Sequence, residues 1–316
     1  MSEVDLSTIR EAHARIRERV CWTPVLTSAR LDELTGTRLF FKCENFQETG
    51  SFKARGAVNA VLSLTDAEAA RGVATHSSGN HAAALAWAAG LRGIPSFVVM
   101  PSTASRIKVA SVERYGGQIV FCEPTHRARE EAADKVVRET GAVLIHPYND
   151  PRVIAGQGTA ALEFMGEIPD LDAIVCPVGG GGLLSGTAIV AKGLRPAIRV
   201  FGAEPEGAAD ARLSFDSGRR QPVENPSSIA EGLLAFVGDL TFPVIRRLVD
   251  GIATVSDQEI AAAVRQFLEV MKIVVEPSGA VAYAAVAGRK AEGAVGRVGI
   301  ILSGGNLDLE RTAWLK

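Results

Sequence analysis

The sequence predicts an α/β protein of mostly parallel sheets flanked by helices, and three observations carry that prediction. Short apolar runs alternate with alanine-rich helical stretches along the chain. The runs are apolar throughout, as expected for strands buried on both faces. Three small-residue loops, 77–81, 179–182 and 303–306, each follow such a run, the place where open α/β sheets hold ligands.

In order, residues 6–20 carry helical spacing at Leu6, Ile9, Ala12 and Ile16, with Asp5 or Ser7 as N-cap. Pro24 breaks that helix. A short helix is expected over Ser28–Thr35 and a strand over Arg38–Lys42. Further strands are expected at Gly72–His76, Ser96–Met100, Gln118–Cys122, Val143–His146, Ala173–Val178, Val200–Ala203 and Val298–Leu302. Helices are expected at Ala57–Leu64, His81–Ala89, Arg106–Tyr115, Arg127–Thr140, Gly156–Gly166, Leu183–Leu194 and Asp257–Lys272.

Composition excludes several classes. With 316 residues, 47% hydrophobic, the chain can bury one large or two medium cores. A net charge of -2 offers no basic face for nucleic acid. Cys21, Cys43, Cys122 and Cys176 are scattered without a CxxC pair, so reduced thiols are expected and zinc is not. No basic-then-apolar leader and no run near about 18 apolar residues is present, so a cytoplasmic protein without membrane contact is expected.

The stretch ENFQETGSFKARGA, residues 44–57, places Lys53 where a strand gives way to a helix. It reads either as a solvated surface lysine or as an amine of lowered pKa, suited to a Schiff base. Four glycines, Gly179 to Gly182, entering a helix at Leu183 either form a flexible turn or present successive N–H groups to a phosphate. Ser77, Ser78, Asn80 and His81 either cap a helix or hold a carboxylate. Patterns for dinucleotide, Walker-type nucleotide, zinc-protease and serine-hydrolase sites are absent. A reactive lysine, a phosphate cradle and a carboxylate loop together describe a pyridoxal-phosphate site for amino acids.

SFKARGA, SSGNH, GGGGLLSG, EPSGA and LSGGN, in that order, resemble the fold-type II pyridoxal-phosphate enzymes, within them the serine racemase and threonine (serine) dehydratase branch. The resemblance runs from about Thr23 to Asp308. It implies a tryptophan synthase β-like fold: a large cofactor-binding domain of residues 1–71 and 150–316, with a small domain, 72–149, inserted. It implies a homodimer acting on a small β-hydroxy amino acid. Lys53 takes the role of Schiff-base lysine and general base. Phe52 packs beside the cofactor ring, Asn80 bonds its 3′-oxygen, Gly179, Gly180, Gly181, Gly182 and Leu183 cradle its phosphate, and Ser303 faces its pyridine nitrogen. A serine there leaves the ring a weaker electron sink, which favours β-elimination. Ser77, Asn80 and His81 hold the substrate carboxylate, Glu276 lies near the cofactor, and Arg129 falls near the substrate pocket. Ser78 matches the serine that racemases use on the face opposite the lysine. Glu204, Ala208 and Asp210 match a loop for magnesium or calcium. Ala235 stands where animal serine racemases carry a serine, and after Lys316 there is no room for a regulatory domain. The expected activity is elimination of L-threonine or L-serine to a 2-oxo acid and ammonia. Serine racemisation and 3-hydroxyaspartate elimination are the alternatives.

Overall fold

Helix starts in this chain are fixed by short polar side chains. The Asp5 carboxylate accepts from Thr8 N at 2.8 Å while Thr8 Oγ1 accepts from Asp5 N, a reciprocal cap that settles which of the two expected residues begins the first helix. Ser256 and Glu259 form the same box farther on, and Asp150 caps a helix that opens with Pro151. The computed structural model describes residues 4–77 and 79–315, with the backbone alone at His126.

The strands are β1 (Val25–Leu26), β2 (Arg38–Cys43), β3 (Val73–His76), β4 (Ser96–Pro101), β5 (Gln118–Cys122), β6 (Val143–Leu144), β7 (Ala173–Pro177), β8 (Arg199–Pro205), β9 (Gly251–Val255) and β10 (Arg297–Leu302). The helices are α1 (Leu6–Ile16), α2 (Ala29–Thr35), α3 (Lys53–Leu62), α4 (Asp66–Ala69), α5 (Asn80–Arg92), α6 (Arg106–Arg114), α7 (His126–Thr140), α8 (Pro151–Glu167), α9 (Gly182–Leu194), α10 (Asp210–Ser217), α11 (Thr241–Leu248), α12 (Asp257–Gln266) and α13 (Pro277–Ala287). A six-stranded sheet has the order β1-β2-β10-β7-β8-β9, parallel except for β1 against β2. A four-stranded parallel sheet has the order β5-β4-β3-β6, and all its strands fall between residues 73 and 144.

Helices cover both faces of each sheet, as the apolar strands require. On the larger sheet, Leu31 of α2, Ile260 of α12 and Tyr283 of α13 fill one side; Ile9, Ile154, Leu184 and Ile245 fill the other. On the smaller, Ala82 and Val112 pack on Val98 and Met100, while Ala133 and Val136 pack on Ala74 and Val99. Among the described residues no helix is long and apolar enough to cross a membrane.

Several expected elements differ in extent, and for two of the three named next the backbone shows a local reason. The helix expected over 6–20 ends at Ile16. The helix expected to Lys272 leaves α geometry at Phe267 for one wide turn and stops at Lys272, whose φ is +59°. The strand expected to reach His146 stops at Leu144, because His146 Nδ1 accepts from Tyr148 N and Asn149 N and turns the chain. That turn carries Pro147 and Tyr148 toward the lysine.

Candidate active site

β10 lies between β2 and β7, so the loops leaving these three strands are neighbours at one edge. Those loops contain Lys53, Ser303 and the four glycines. The lysine loop is sewn directly to the loop after β10: Phe52 N donates to Ser303 O at 3.0 Å, Gly305 N donates to Gly50 O at 2.9 Å, and Ser51 pairs with Gly304.

Lys53 is the first residue of α3, one turn earlier than the expected helix. Its Nζ donates to Pro147 O at 2.7 Å and lies 5.1 Å from the Phe52 ring centroid. Burial of the amine pushes its pKa down to about 8, although the side chain as a whole is only half-buried. Unlike Lys42 and Arg55, it has no carboxylate partner among the described residues.

Asn80 opens α5 and sits at the centre of a polar chain. Its Nδ2 donates to Glu276 Oε1 at 2.7 Å, and its Oδ1 accepts from Asn306 Nδ2 at 2.9 Å. Asn306 Nδ2 also donates to Thr49 O at 2.8 Å. Burial pushes the Glu276 carboxyl up to about 7, a rise that the Asn80 bond only partly offsets. Glu276 N donates to Gly304 O at 3.0 Å, so the carboxyl is fixed over the same loop that carries Ser303. Ser303 is buried, its Oγ 3.5 Å from Ser278 O.

His81 is buried, its Nε2 3.3 Å from Ile145 O, and its Nδ1 has no partner among the described residues. Burial, then the charge on Lys53, lowers its pKa well below the ordinary range, so the ring is neutral with a lone pair free. Ser77 Oγ accepts from Gly79 N at 3.4 Å in the same loop. Ser78 lies outside the described residues.

Gly179 to Gly182 lead from β7 into α9, with Leu183 buried behind them. Gly181 has φ +90°, and a Cβ on Gly180 would come within 2.2 Å of the Tyr148 ring, so both positions exclude larger residues. The open N–H groups of this helix start suit a phosphate ester. Together with an uncharged-prone lysine opposite, the residues present fit pyridoxal phosphate.

Arg129 stays on its own helix, with Nε 3.4 Å from Thr125 O and its charge felt by Cys122; among the described residues no bond joins it to the lysine cluster. Glu204 and Asp210 are both buried. Glu204 accepts from Ala211 N and Arg212 N, and Asp210 accepts from Val237 N at 2.9 Å. Burial pushes Glu204 up to about 8 and Asp210 up to about 6, and neither has an ion pair among the described residues. No group of three or more His, Cys, Asp or Glu side chains that could hold a metal occurs among them. Two carboxylates beside the buried Ala208 turn fit a hard cation only with carbonyl and water ligands completing the shell.

Sequence reasoning did not find Pro147 or Tyr148, and it included Asn306 in the 303–306 loop without giving it a role. Tyr148 and Pro147 lie in no glycine motif, and Asn306 stands at the end of LSGGN, where only its contacts across 226 residues to Asn80 reveal it.

Comparison with known proteins agrees with this geometry. The chain is 51% identical over 310 residues to a serine racemase of Arabidopsis thaliana, covering 96% of this chain and 94% of the relative. It is 52% identical over 303 residues to a beta-hydroxyaspartate dehydratase of Paracoccus denitrificans (strain Pd 1222), covering 96% of each. The solved structure of maize serine racemase superposes with a TM-score of 0.96 at 47% identity, covering 99% of this chain and 96% of that one. Residues 16–304 match the family described as "Pyridoxal-phosphate dependent enzyme", and with its lysine, glycine cradle and Ser303 loop joined at one sheet edge, the chain belongs to that family.

Proposed function

We propose that the protein eliminates the β-hydroxyl of L-threonine or L-serine as water, and that the enamine so released takes water back on hydrolysis to give a 2-oxo acid and ammonia. The observation that supports this best is Lys53, an amine without a carboxylate partner among the described residues and with a pKa lowered to about 8, in a site whose third loop carries Ser303 where an acid would be needed to hold a ring proton. When bound, pyridoxal phosphate supplies an electron sink that acidifies the substrate Cα–H.

Lys53 would hold the cofactor through its amine and, as a neutral amine, would take the substrate Cα proton. Phe52 would support the ring, Asn80 would bond its oxygen with Glu276 behind it, and Gly179 to Gly182 with Leu183 would hold the phosphate. The loop of Ser77, Asn80 and His81 orients the substrate carboxylate. Glu204, Asp210 and the Ala208 carbonyl hold magnesium or calcium, which orders the fold and takes no part in the chemistry. Residues 72–149 act as a small domain against 1–71 and 150–316, and the working form is a homodimer.

Serine racemisation is the second reading, supported by the similarity to a serine racemase and by a serine at position 78. Elimination of 3-hydroxyaspartate, with Arg129 on the second carboxylate, is supported by the similarity to a beta-hydroxyaspartate dehydratase. The test uses cofactor-loaded enzyme with magnesium and, separately, L-threonine, L-serine and L-threo-3-hydroxyaspartate, following 2-oxo acid and D-amino acid. Oxo acid from threonine or serine is expected. None from any of the three overturns elimination; D-serine that disappears in Ser78→Ala moves racemisation to first place.

A further inference from the structure

Thr241 belongs to none of the sequence motifs, yet it is fully buried against the glycine loop. Its Oγ1 donates to Gly180 O at 2.7 Å and accepts from Gly238 N at 2.8 Å. Gly238 N also lies 3.3 Å from Gly180 O. The hydroxyl therefore has one lone pair engaged and its proton directed at Gly180 O, the nearer of two acceptors, with Gly238 O at 3.3 Å.

In a trans peptide the carbonyl and the following N–H point in opposite directions. Anchoring Gly180 C=O toward α11 turns Gly181 N–H to the other side of the loop, away from Thr241. A Cβ on Gly181 would meet Thr241 Oγ1 at 2.8 Å, so the Thr241 side chain packs directly on the glycine loop. The strap that carries Thr241 is itself held at two further points. Val237 N donates to Asp210 Oδ2 and Leu240 N to Asn149 Oδ1, each at 2.9 Å. Ser185 Oγ, one turn into α9, lies 3.3 Å from Thr241 O and closes the connection back to the cradle helix.

We propose that Thr241 is a positioning residue of the phosphate cradle, its hydroxyl setting the Gly180–Gly181 peptide so that Gly181 N–H faces the phosphate. This rests on the cofactor alone and not on the proposed substrate, so the two stand or fall separately. The experiment titrates cofactor-free enzyme with pyridoxal phosphate and with pyridoxal, which lacks the phosphate, in the wild type, Thr241→Val and Thr241→Ser. Thr241→Val should weaken pyridoxal phosphate about tenfold, the scale of one buried hydrogen bond, and leave pyridoxal within about twofold. The phosphorus NMR signal of the bound phosphate should shift in Thr241→Val and return in Thr241→Ser, which keeps the hydroxyl. Equal loss for both ligands, or an unchanged ratio between them, overturns the proposal. Should Thr241→Val fail to fold, Thr241→Ala removes the same hydroxyl without filling the space, and is read by the same ratio.

Discussion

An amine with pKa about 8 behaves differently from an ordinary lysine at neutral pH. At pH 7 about a tenth of it is neutral, against roughly one part in 3,000 for a lysine near 10.5, a gain of about 300-fold in reactive form. Uptake of pyridoxal phosphate by the cofactor-free enzyme should therefore accelerate with pH and level off above about 8. A rate that climbs unbroken through pH 10 would show that burial does not act on Lys53 as described, and Lys53→Ala should show no aldehyde uptake at this site. Glu276 gives the opposite proton balance. Its folded pKa, about 7, lies above the value of 4.5 for a free glutamate, so between those values the folded state holds more protons than the unfolded. Its contribution to stability is thus full below 4.5 and is lost as pH rises through 7. Glu276→Gln keeps an acceptor for Asn80 but cannot ionise. In urea unfolding of the cofactor-free protein, the variant should gain on the wild type between pH 5 and pH 8. An equal difference at the two pH values would refute that assignment.

Helix α3 is held at its base by buried charge. Arg55, two residues beyond Lys53, forks onto Glu44 through Nε and Nη2 at 2.7 and 2.8 Å, and onto Glu163 of α8 through Nη1 and Nη2 at the same distances. Lys42 adds a 3.1 Å contact to Glu163, leaving two buried cations against two buried carboxylates. Burial opposes ionisation of Glu163, but bonds to His13 and Arg55 outweigh it and hold the carboxyl at about 2. Arg55→Met would leave two carboxylates facing one lysine, at a cost of about 3–5 kcal/mol in urea unfolding; a loss under about 1 kcal/mol would show the network is dispensable. The sequence made Lys53 legible, because SFKARGA and the glycine loops are local patterns. It did not make Arg55 legible, because its partner Glu163 is 108 residues away and a charge in isolation reads as solvated. The helix α13 was missed for a different reason. Residues 277–286 of α13 are all buried, so it has no polar face and no helical period to detect. Among the expected thiols, Cys43 and Cys176 are buried whereas Cys21 and Cys122 are half-buried.

Across the whole molecule, contacts join elements of the larger sheet to elements of the smaller one, and three of them bear on the site. Lys53 Nζ meets Pro147 O, Asn80 meets Glu276, and Lys108 of α6 meets Glu231 at 2.5 Å, with Arg311 on the same carboxylate at 2.8 Å. The first two are inside the cleft, and the third is at its partly exposed rim. Topology explains why no local pattern announced this arrangement: the parallel order β2-β10-β7 brings together loops more than 120 residues apart. A rim ion pair is screened by salt and contributes up to about 1 kcal/mol, or about fivefold in a rate. It therefore acts as a clasp on the cleft and not as a determinant of the fold. Glu231→Gln should speed release of pyridoxal phosphate by up to about fivefold in dilute buffer while leaving the unfolding midpoint nearly unchanged. In about 0.5 M salt the wild type should release it as fast as the variant, because the Debye length then falls to a few ångströms. Release that is equally slow in both proteins at low salt would assign the clasp to Asn80 and Glu276 alone, whose buried bond salt does not reach.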